Sequence, residues 1–294
     1  MNTEFLRVTT EDGLVLAGHL FEPTAGLRGV VVHIHGMAGN YYENVFLDAM
    51  AQALTEAGWA LLCGNNRGHD TVADLAVAGE TEAYKRIGGS REVFAESARD
   101  VAAWCDLAAS RGNLPMVLQG HSLGAVKAAY YLAERSDSRV SGLILLSPPD
   151  MVALAESDPG HAARVAEATR MVAAGEGDEF LTGLLWDWYV LSANTFLDLT
   201  SRGRAVDVFN LYDPAAASAL NHLGVPTLAV IGERDDVVTS ENSETHLARI
   251  RAKLTRSPDF RGVVVRGASH VFFGCHTEMA SAVTAWLRRA RGPA

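Results

Sequence analysis

Short apolar runs alternate with helix-length segments along most of this chain, and this alternation is the feature that most constrains its fold. Short continuous apolar runs bounded by Gly or Pro are typical of strands that are covered on both faces. The predicted strands are Val30–Ile34, Ala60–Cys63, Met116–Leu118, Leu143–Leu146, Thr227–Ile231 and Val263–Val265. The predicted helices between and after them are Asn44–Ala57, Val93–Ala109, Leu123–Ala133, Glu241–Lys253 and His276–Arg291. Such alternation indicates right-handed βαβ units, and therefore an α/β fold with a mostly parallel central sheet flanked by helices.

Two regions depart from this alternation. Near the start, Phe5–Thr10 and Leu14–Phe21 flank an Asp-Gly turn, which predicts a hairpin leading into the sheet. From Met151 to Asn221 no segment reads convincingly as a strand, whereas Ala163–Ala174 is typical of a helix. Because this stretch is too long for a single crossover helix, we expect residues 151–221 to form a helical cap insertion. The core domain would then comprise residues 1–150 and 222–294.

Composition excludes several classes of protein. The chain has 294 residues, and its 48% hydrophobic content is ordinary for a globular protein. The formal net charge of −10 argues against sequence-independent binding of nucleic acid and against binding to anionic membrane surfaces. No run is long enough to span a membrane and no signal peptide is visible, so a soluble cytoplasmic protein is the expectation. The three cysteines form no CxxC pair, and a disulfide framework is not expected.

The strongest chemical signal is Gly120-His121-Ser122-Leu123-Gly124. This Gly-x-Ser-x-Gly motif directly follows a predicted strand and directly precedes a predicted helix, which is the context that a nucleophile elbow requires. Glycine on both sides of the serine lets the backbones approach closely in a strained turn. The N-terminus of the following helix would face the negative charge that develops on a substrate. Ser122 is therefore the candidate nucleophile.

A serine hydroxyl needs a general base, and the base needs an orienting acid. His270 follows the last predicted strand, where its side chain can reach the carboxyl edge of the sheet. His121 adjoins the nucleophile but would point elsewhere. The acid is expected between serine and histidine in chain order, and Asp235 is preferred in the loop after Thr227–Ile231. Asp236 is its alternative or helper, and Asp150 is an outside candidate because it too follows a strand.

These motifs resemble those of the α/β-hydrolase-fold serine hydrolases. The elbow at Ser122, the acid turn at Gly232–Asp235 and the loop Gly267–His270 match that superfamily in order and spacing, over nearly the whole chain. The resemblance implies an oxyanion hole built from two backbone N–H groups, those of Met37 and Leu123. It also implies that His35 braces the loop carrying Met37, and that His33 is buried beside the elbow.

The resemblance further implies a structural role for Arg67, in which the guanidinium bonds loop carbonyls rather than substrate. Neither a nucleotide motif nor a metal motif stands out, so no cofactor and no metal are expected. Four aromatic residues in the 151–221 stretch are expected to line an apolar pocket over Ser122. They are Trp186, Trp188, Tyr189 and Phe196.

The expected activity is cleavage of a small, largely apolar carboxylic ester through an acyl-serine intermediate. Thioesterase, lactonase, acyltransferase and carbon–carbon hydrolase activities remain open because acyl transfer uses the same residues in each. A ligand-binding protein or a non-hydrolytic cyclase that reuses the fold is the alternative from a different class. The sequence does not distinguish among substrates, nor does it fix the oligomeric state.

Overall fold

The computed structural model describes residues 1–79, 81, 83–238 and 241–289, and it has a central eight-stranded sheet. The described strands are β1 (Asn2–Thr9), β2 (Val15–Glu22), β3 (Gly29–Ile34), β4 (Trp59–Gly64), β5 (Asp74–Ala76), β6 (Tyr84–Arg86), β7 (Met116–His121), β8 (Val140–Leu146), β9 (Thr227–Gly232) and β10 (Phe260–Val265). The strands of the central sheet follow the order β1-β2-β4-β3-β7-β8-β9-β10. Strands β1 and β2 are antiparallel to each other, β2 is antiparallel to β4, and the remaining neighbours are parallel.

Helices cover both faces of the sheet, as the continuous burial of β3, β4, β7 and β9 requires. The described helices are α1 (Phe46–Glu56), α2 (Ser97–Ser110), α3 (Leu123–Arg135), α4 (Met151–Glu156), α5 (His161–Ala173), α6 (Ala193–Thr200), α7 (Ser243–Lys253) and α8 (His276–Arg289). One face carries α1 and α8, and the other carries α2, α3 and α7, so the core lies in two layers.

The expected α/β class and mostly parallel sheet are confirmed, and each strand predicted from an apolar run is present. The predicted helix Val93–Ala109 is divided into a short 3-10 turn at Phe94–Glu96 and the helix α2. The end of the predicted helix His276–Arg291 lies outside the described residues. No apolar run marks the small two-stranded sheet of β5 and β6, which has mostly exposed positions.

Residues 151–221 contain three helices and a tight hairpin. In the hairpin, the amides and carbonyls of Leu185 and Tyr189 are mutually bonded, at 2.8 and 3.0 Å. Trp186 and Asp187 between them both have positive φ, at 52° and 57°, a backbone region that large side chains rarely adopt. Buried residues of this segment, among them Phe196, join the core layer that includes α2 and α3. The segment is thus packed continuously with the rest of the protein.

None of the helices in the described part of the chain combines the length and the apolar character needed to cross a membrane.

Candidate active site

Ser122 lies at the sharp turn between β7 and α3, near the middle of the sheet. Its backbone has φ 55° and ψ −128°, which is a strained conformation for a residue with a side chain. The turn is held because Ser122 N–H donates to Leu146 O at 2.9 Å, and Ala125 N–H donates to Ser122 O at 2.9 Å. Strain maintained by surrounding bonds is characteristic of functional positions.

Gly124 allows this turn to approach the neighbouring strand. A side chain at Gly124 would collide with the carbonyl oxygens of Ile34 and His35, at the end of β3. Gly36, the second residue of the loop after β3, is also close to the elbow, since a Cβ built there would lie 3.0 Å from Ser122 Cβ. The elbow and the loop after β3 are therefore in direct contact.

His270 and Asp235 come together at the same edge of the sheet, because β9 and β10 are adjacent parallel strands. His270 Nδ1–H donates to Asp235 Oδ1 at 2.9 Å. The Asp235 side chain is fully buried, whereas that of His270 is 16% exposed. With Nδ1 bonded to the carboxylate, Nε2 is the imidazole nitrogen left for a substrate or a nucleophile.

The surroundings of Asp235 favour its ionised form. Burial alone would raise the pKa of this carboxyl group. The hydrogen bond and charge of His270 and the hydroxyl of Ser147 lower the pKa by more than burial raises it, so it lies below the ordinary value. The amide of Val237 also donates to Asp235 Oδ1, at 3.0 Å. An ionised Asp235 is the form that can orient and stabilise a protonated imidazole.

The alternative base and the alternative acids have other environments. His121 Nε2–H donates to the carbonyl of His270 at 3.0 Å, and burial lowers the pKa of His121 to about 3. Asp150 caps α4 by accepting from Ala153 N–H and also accepts from Leu211 N–H at 2.6 Å. Asp236 is exposed and lies at the cavity described below. His121 and Asp150 thus make contacts that position other parts of the chain.

The loop after β3 brings a second backbone segment to Ser122. Gly36 O accepts from Gly39 N–H at 3.2 Å, which closes a turn that contains Met37. Leu123 is the first residue of α3, so its N–H has no acceptor within the helix. Met37, Ser122 and Leu123 all line one cavity. These are the positions where the sequence predicts two donors for an oxyanion.

This cavity has a volume of about 420 Å³, which is within the range of small-molecule sites. Ser122 and His270 lie in its wall together with mainly apolar and aromatic side chains. The lining residues are Met37, Ser122, Leu123, Pro149, Met151, Leu154, Trp186, Trp188, Tyr189, Asp236, Val237 and His270. A largely apolar substrate is compatible with such a lining.

Three of the four aromatic residues expected at the pocket lie there, and the fourth does not. Trp186 and Tyr189 line the cavity and are partly buried, while Trp188 lines it with 77% of its surface exposed. Phe196 is fully buried in the core and contacts His161, with ring centroids 5.9 Å apart. The expectation that Phe196 lines the pocket is therefore not met, because its side chain lies on the buried face of α6.

Within residues 1–79, 81, 83–238 and 241–289, no cluster of three or more His, Cys, Asp or Glu side chains has the arrangement of a metal site.

Comparison with known protein families places the chain among the α/β hydrolases. The family model described as "Serine aminopeptidase, S33" matches residues 25–175, slightly more than half of the chain. The chain belongs to this family of α/β hydrolases. The matched residues include the loop after β3 and the elbow at Ser122, whereas Asp235 and His270 lie beyond them.

Individual relatives extend the comparison. The phospholipase YtpA of Bacillus subtilis (strain 168) is 35% identical over 80 residues, which is 27% of this chain and 29% of that protein. Among solved structures, DcsB in complex with its substrate analogue has a TM-score of 0.72 at 15% identity, covering 99% of this chain and 100% of its own. A thermostable carboxyl esterase from Bacillus coagulans has a TM-score of 0.68 at 16% identity, with 98% of each chain covered. At these identities the structures show the fold alone, and they share it over 98–99% of this chain.

Sequence reasoning missed several residues around the site. The cavity wall also contains Pro149, Met151 and Leu154, which follow the end of β8, and the strand boundary at Leu146 was the available signal.

Arg67 does not bond loop carbonyls as expected. Its guanidinium is fully buried and is paired with carboxylates of Asp100, Asp12 and Glu96. The structural role expected for Arg67 thus has different partners.

Proposed function

We propose that the protein is a serine esterase that cleaves carboxylic esters of small, largely apolar substrates through an acyl-serine intermediate. The single observation that carries the proposal is that Ser122, on its strained turn, shares a cavity with His270, whose Nδ1 is bonded to the buried Asp235. Nucleophile, base and orienting acid in this relation are what acyl transfer requires.

In the proposed reaction, Ser122 Oγ attacks the ester carbonyl carbon while His270 Nε2 takes the hydroxyl proton. The carbonyl oxygen becomes negatively charged and is stabilised by the N–H groups of Met37 and Leu123. The protonated His270, held by Asp235, then gives its proton to the departing alcohol. Water attacks the acyl-serine by the same route in reverse, and the acid is released.

We further propose that residues 151–221 act as a cap that selects the substrate. Support comes from the hairpin at Leu185–Tyr189, whose Trp186, Trp188 and Tyr189 line the cavity that contains Ser122. The apolar lining from Met151 and Leu154 adds to the same wall. Aromatic and aliphatic side chains of this kind favour an acyl or alcohol group without charge. The B. coagulans relative of the same fold is itself named a carboxyl esterase.

The proposal is tested by labelling and turnover of the purified protein. We expect a fluorophosphonate probe to attach stoichiometrically to Ser122, and p-nitrophenyl esters to be cleaved with a preference that depends on acyl chain length. The Ser122→Ala variant should lose both the labelling and the ester cleavage. The matched change Ser110→Ala, at an exposed serine, should leave both unchanged.

Two results would contradict the proposal. The first is ester cleavage that persists in Ser122→Ala. The second is cleavage of an aminoacyl p-nitroanilide without cleavage of any ester, which would instead make the protein a peptidase, as the description of its family suggests.

A further inference from the structure

Beneath the loop that carries Met37 lies a group of polar side chains that the proposed reaction does not use. We call it the Lys127 cluster, and it consists of His35, Asn66, Glu92 and Lys127. Each of these side chains is buried, three at 0% exposure and Asn66 at 1%. Fully buried lysine and glutamate are rare in proteins, since removing a charge from water is costly.

One end of the cluster holds the loop after β3. His35 Nδ1–H donates to Gly36 O at 2.8 Å, and His35 Nε2 accepts from the backbone N–H of Asn66 at 3.0 Å. The Asn66 side chain also donates to His35 O at 3.3 Å. Burial keeps the pKa of His35 well below its ordinary value, so the ring is neutral and carries its proton on Nδ1. These bonds fix the backbone immediately before Met37.

The other end of the cluster holds α3. Lys127 lies four residues after Leu123, one turn further along the same face of the helix. Its Nζ donates to Asn66 Oδ1 at 3.0 Å and to Glu92 Oε2 at 2.5 Å. Asn66 therefore bonds to both ends, to His35 at the loop and to Lys127 at the helix.

We propose that the Lys127 cluster is a positioning unit that fixes the separation and orientation of the Met37 and Leu123 amides. This inference rests on the proposed function, which assigns those two amides to the oxyanion. Met37 is set by the loop that His35 holds, and Leu123 is set by the helix that Lys127 anchors. Lys127 and Glu92 do not line the cavity and act only through the backbone.

The physical chemistry of buried charges supports a positional role. Replacing a buried ion pair with apolar side chains of similar volume is often neutral or stabilising, so stability alone gives little reason for Lys127 and Glu92. Hydrogen bonds differ from apolar contacts in direction and length. An oxyanion site depends on such precision, because misplacing reacting groups by about 1 Å can lower the rate about 100-fold.

The test compares variants at two buried lysines. Lys127→Met combined with Glu92→Gln removes both charges together, and Lys253→Met serves as the matched control. Lys253 is 4% exposed and donates to the carbonyls of Asp213 and Ala216, and it does not line the cavity. For the Lys127 and Glu92 variant we expect kcat for the preferred ester to fall about 10-fold or more, with KM within about 2-fold.

A second measurement isolates the oxyanion. A trifluoromethyl ketone adds to Ser122 as a tetrahedral adduct, so its affinity should fall by the same factor as kcat, while the affinity of the product acid stays unchanged. Should the double variant fail to fold, Asn66→Ala provides the same measurement, because it removes the link and leaves Lys127 paired with Glu92.

The outcomes separate the two proposals. If the wild type cleaves esters and the Lys127 variants lose only thermal stability, as Lys253→Met is expected to do, the positioning role is refuted and the esterase stands. An equal fall in kcat for Lys253→Met also refutes it. If the wild type neither cleaves esters nor reacts with the fluorophosphonate, the esterase proposal fails and the positioning proposal fails with it.

Discussion

The carboxyl edge of the sheet and residues 151–221 both contribute walls to the same cavity, and they are built differently. At the sheet edge, Ser122, Asp235 and His270 each follow the end of a strand, and the buried Asp235 is hydrogen-bonded to His270. The part contributed by residues 151–221 includes a hairpin outside the main sheet, with two consecutive residues at positive φ and the exposed Trp188.

This difference indicates a division of roles. Strand ends in a parallel sheet are rigid and mutually registered, and a reaction that depends on short distances benefits from them. A hairpin that connects two helices can change in length and composition without disturbing those strands. We therefore expect substitutions at the sheet edge to change the rate for every substrate, and substitutions in the hairpin to change the ranking of substrates.

The largest effect is expected at the nucleophile and its base. Ser122→Ala and His270→Ala should each lower kcat/KM by about 10⁶-fold, because the two residues act as one unit. For the same reason the double variant should be hardly slower than either single variant. Steady-state kinetics with the preferred ester measure all three. A His270→Ala variant with near-normal turnover would contradict the assignment and make His121 the base to test.

The next effect concerns the two neighbouring carboxylates. Asp235→Asn should lower kcat by about 10⁴-fold, because the amide cannot stabilise the protonated imidazole. Asp236→Asn, one residue along and exposed, is the matched control and should change kcat far less. The measurement is kcat for the preferred ester at the pH where the wild type is fastest. A larger loss in Asp236→Asn would reverse the assignment.

The sequence predicts these two regions to different extents because their patterns of apolar and polar residues differ. Strands such as β3 and β7 were predictable because their apolar runs end at Gly or at polar residues, and the site residues follow those ends. The strands β5 and β6 were missed because three-residue, mostly exposed segments have no apolar run. The apolar runs that identify these strands therefore also locate the candidate site residues, which follow the strand ends.

Burial of individual side chains was less predictable. Aromatic composition alone could not distinguish Phe196, on the inner face of α6, from Trp188 at the cavity. The N-cap Ser192, which accepts from Thr195 N–H, was the available signal that a helix begins there. Lys127 was missed because a buried lysine is inferred only when its partners Asn66 and Glu92 are known to be near, and these are distant in sequence.

The smallest effect, and the one that most sharpens the comparison, is expected within residues 151–221 themselves. Trp188→Ala should change the preference among ester chain lengths by about 10-fold or less, because an extra apolar contact is worth ~1–3 kcal/mol in discrimination. Its melting temperature should scarcely move, since the side chain is 77% exposed.

Phe196→Ala is the matched control in the same segment. It should cost ~3–5 kcal/mol of stability, as a fully buried aromatic side chain does, and leave the order of preference unchanged. Activity on a series of p-nitrophenyl esters and thermal unfolding measure the two quantities on the same samples. If Trp188→Ala leaves the preference unchanged and both variants behave as stability mutants, residues 151–221 are only part of the core, and substrate selection lies in the wall formed by Met37, Pro149 and Val237.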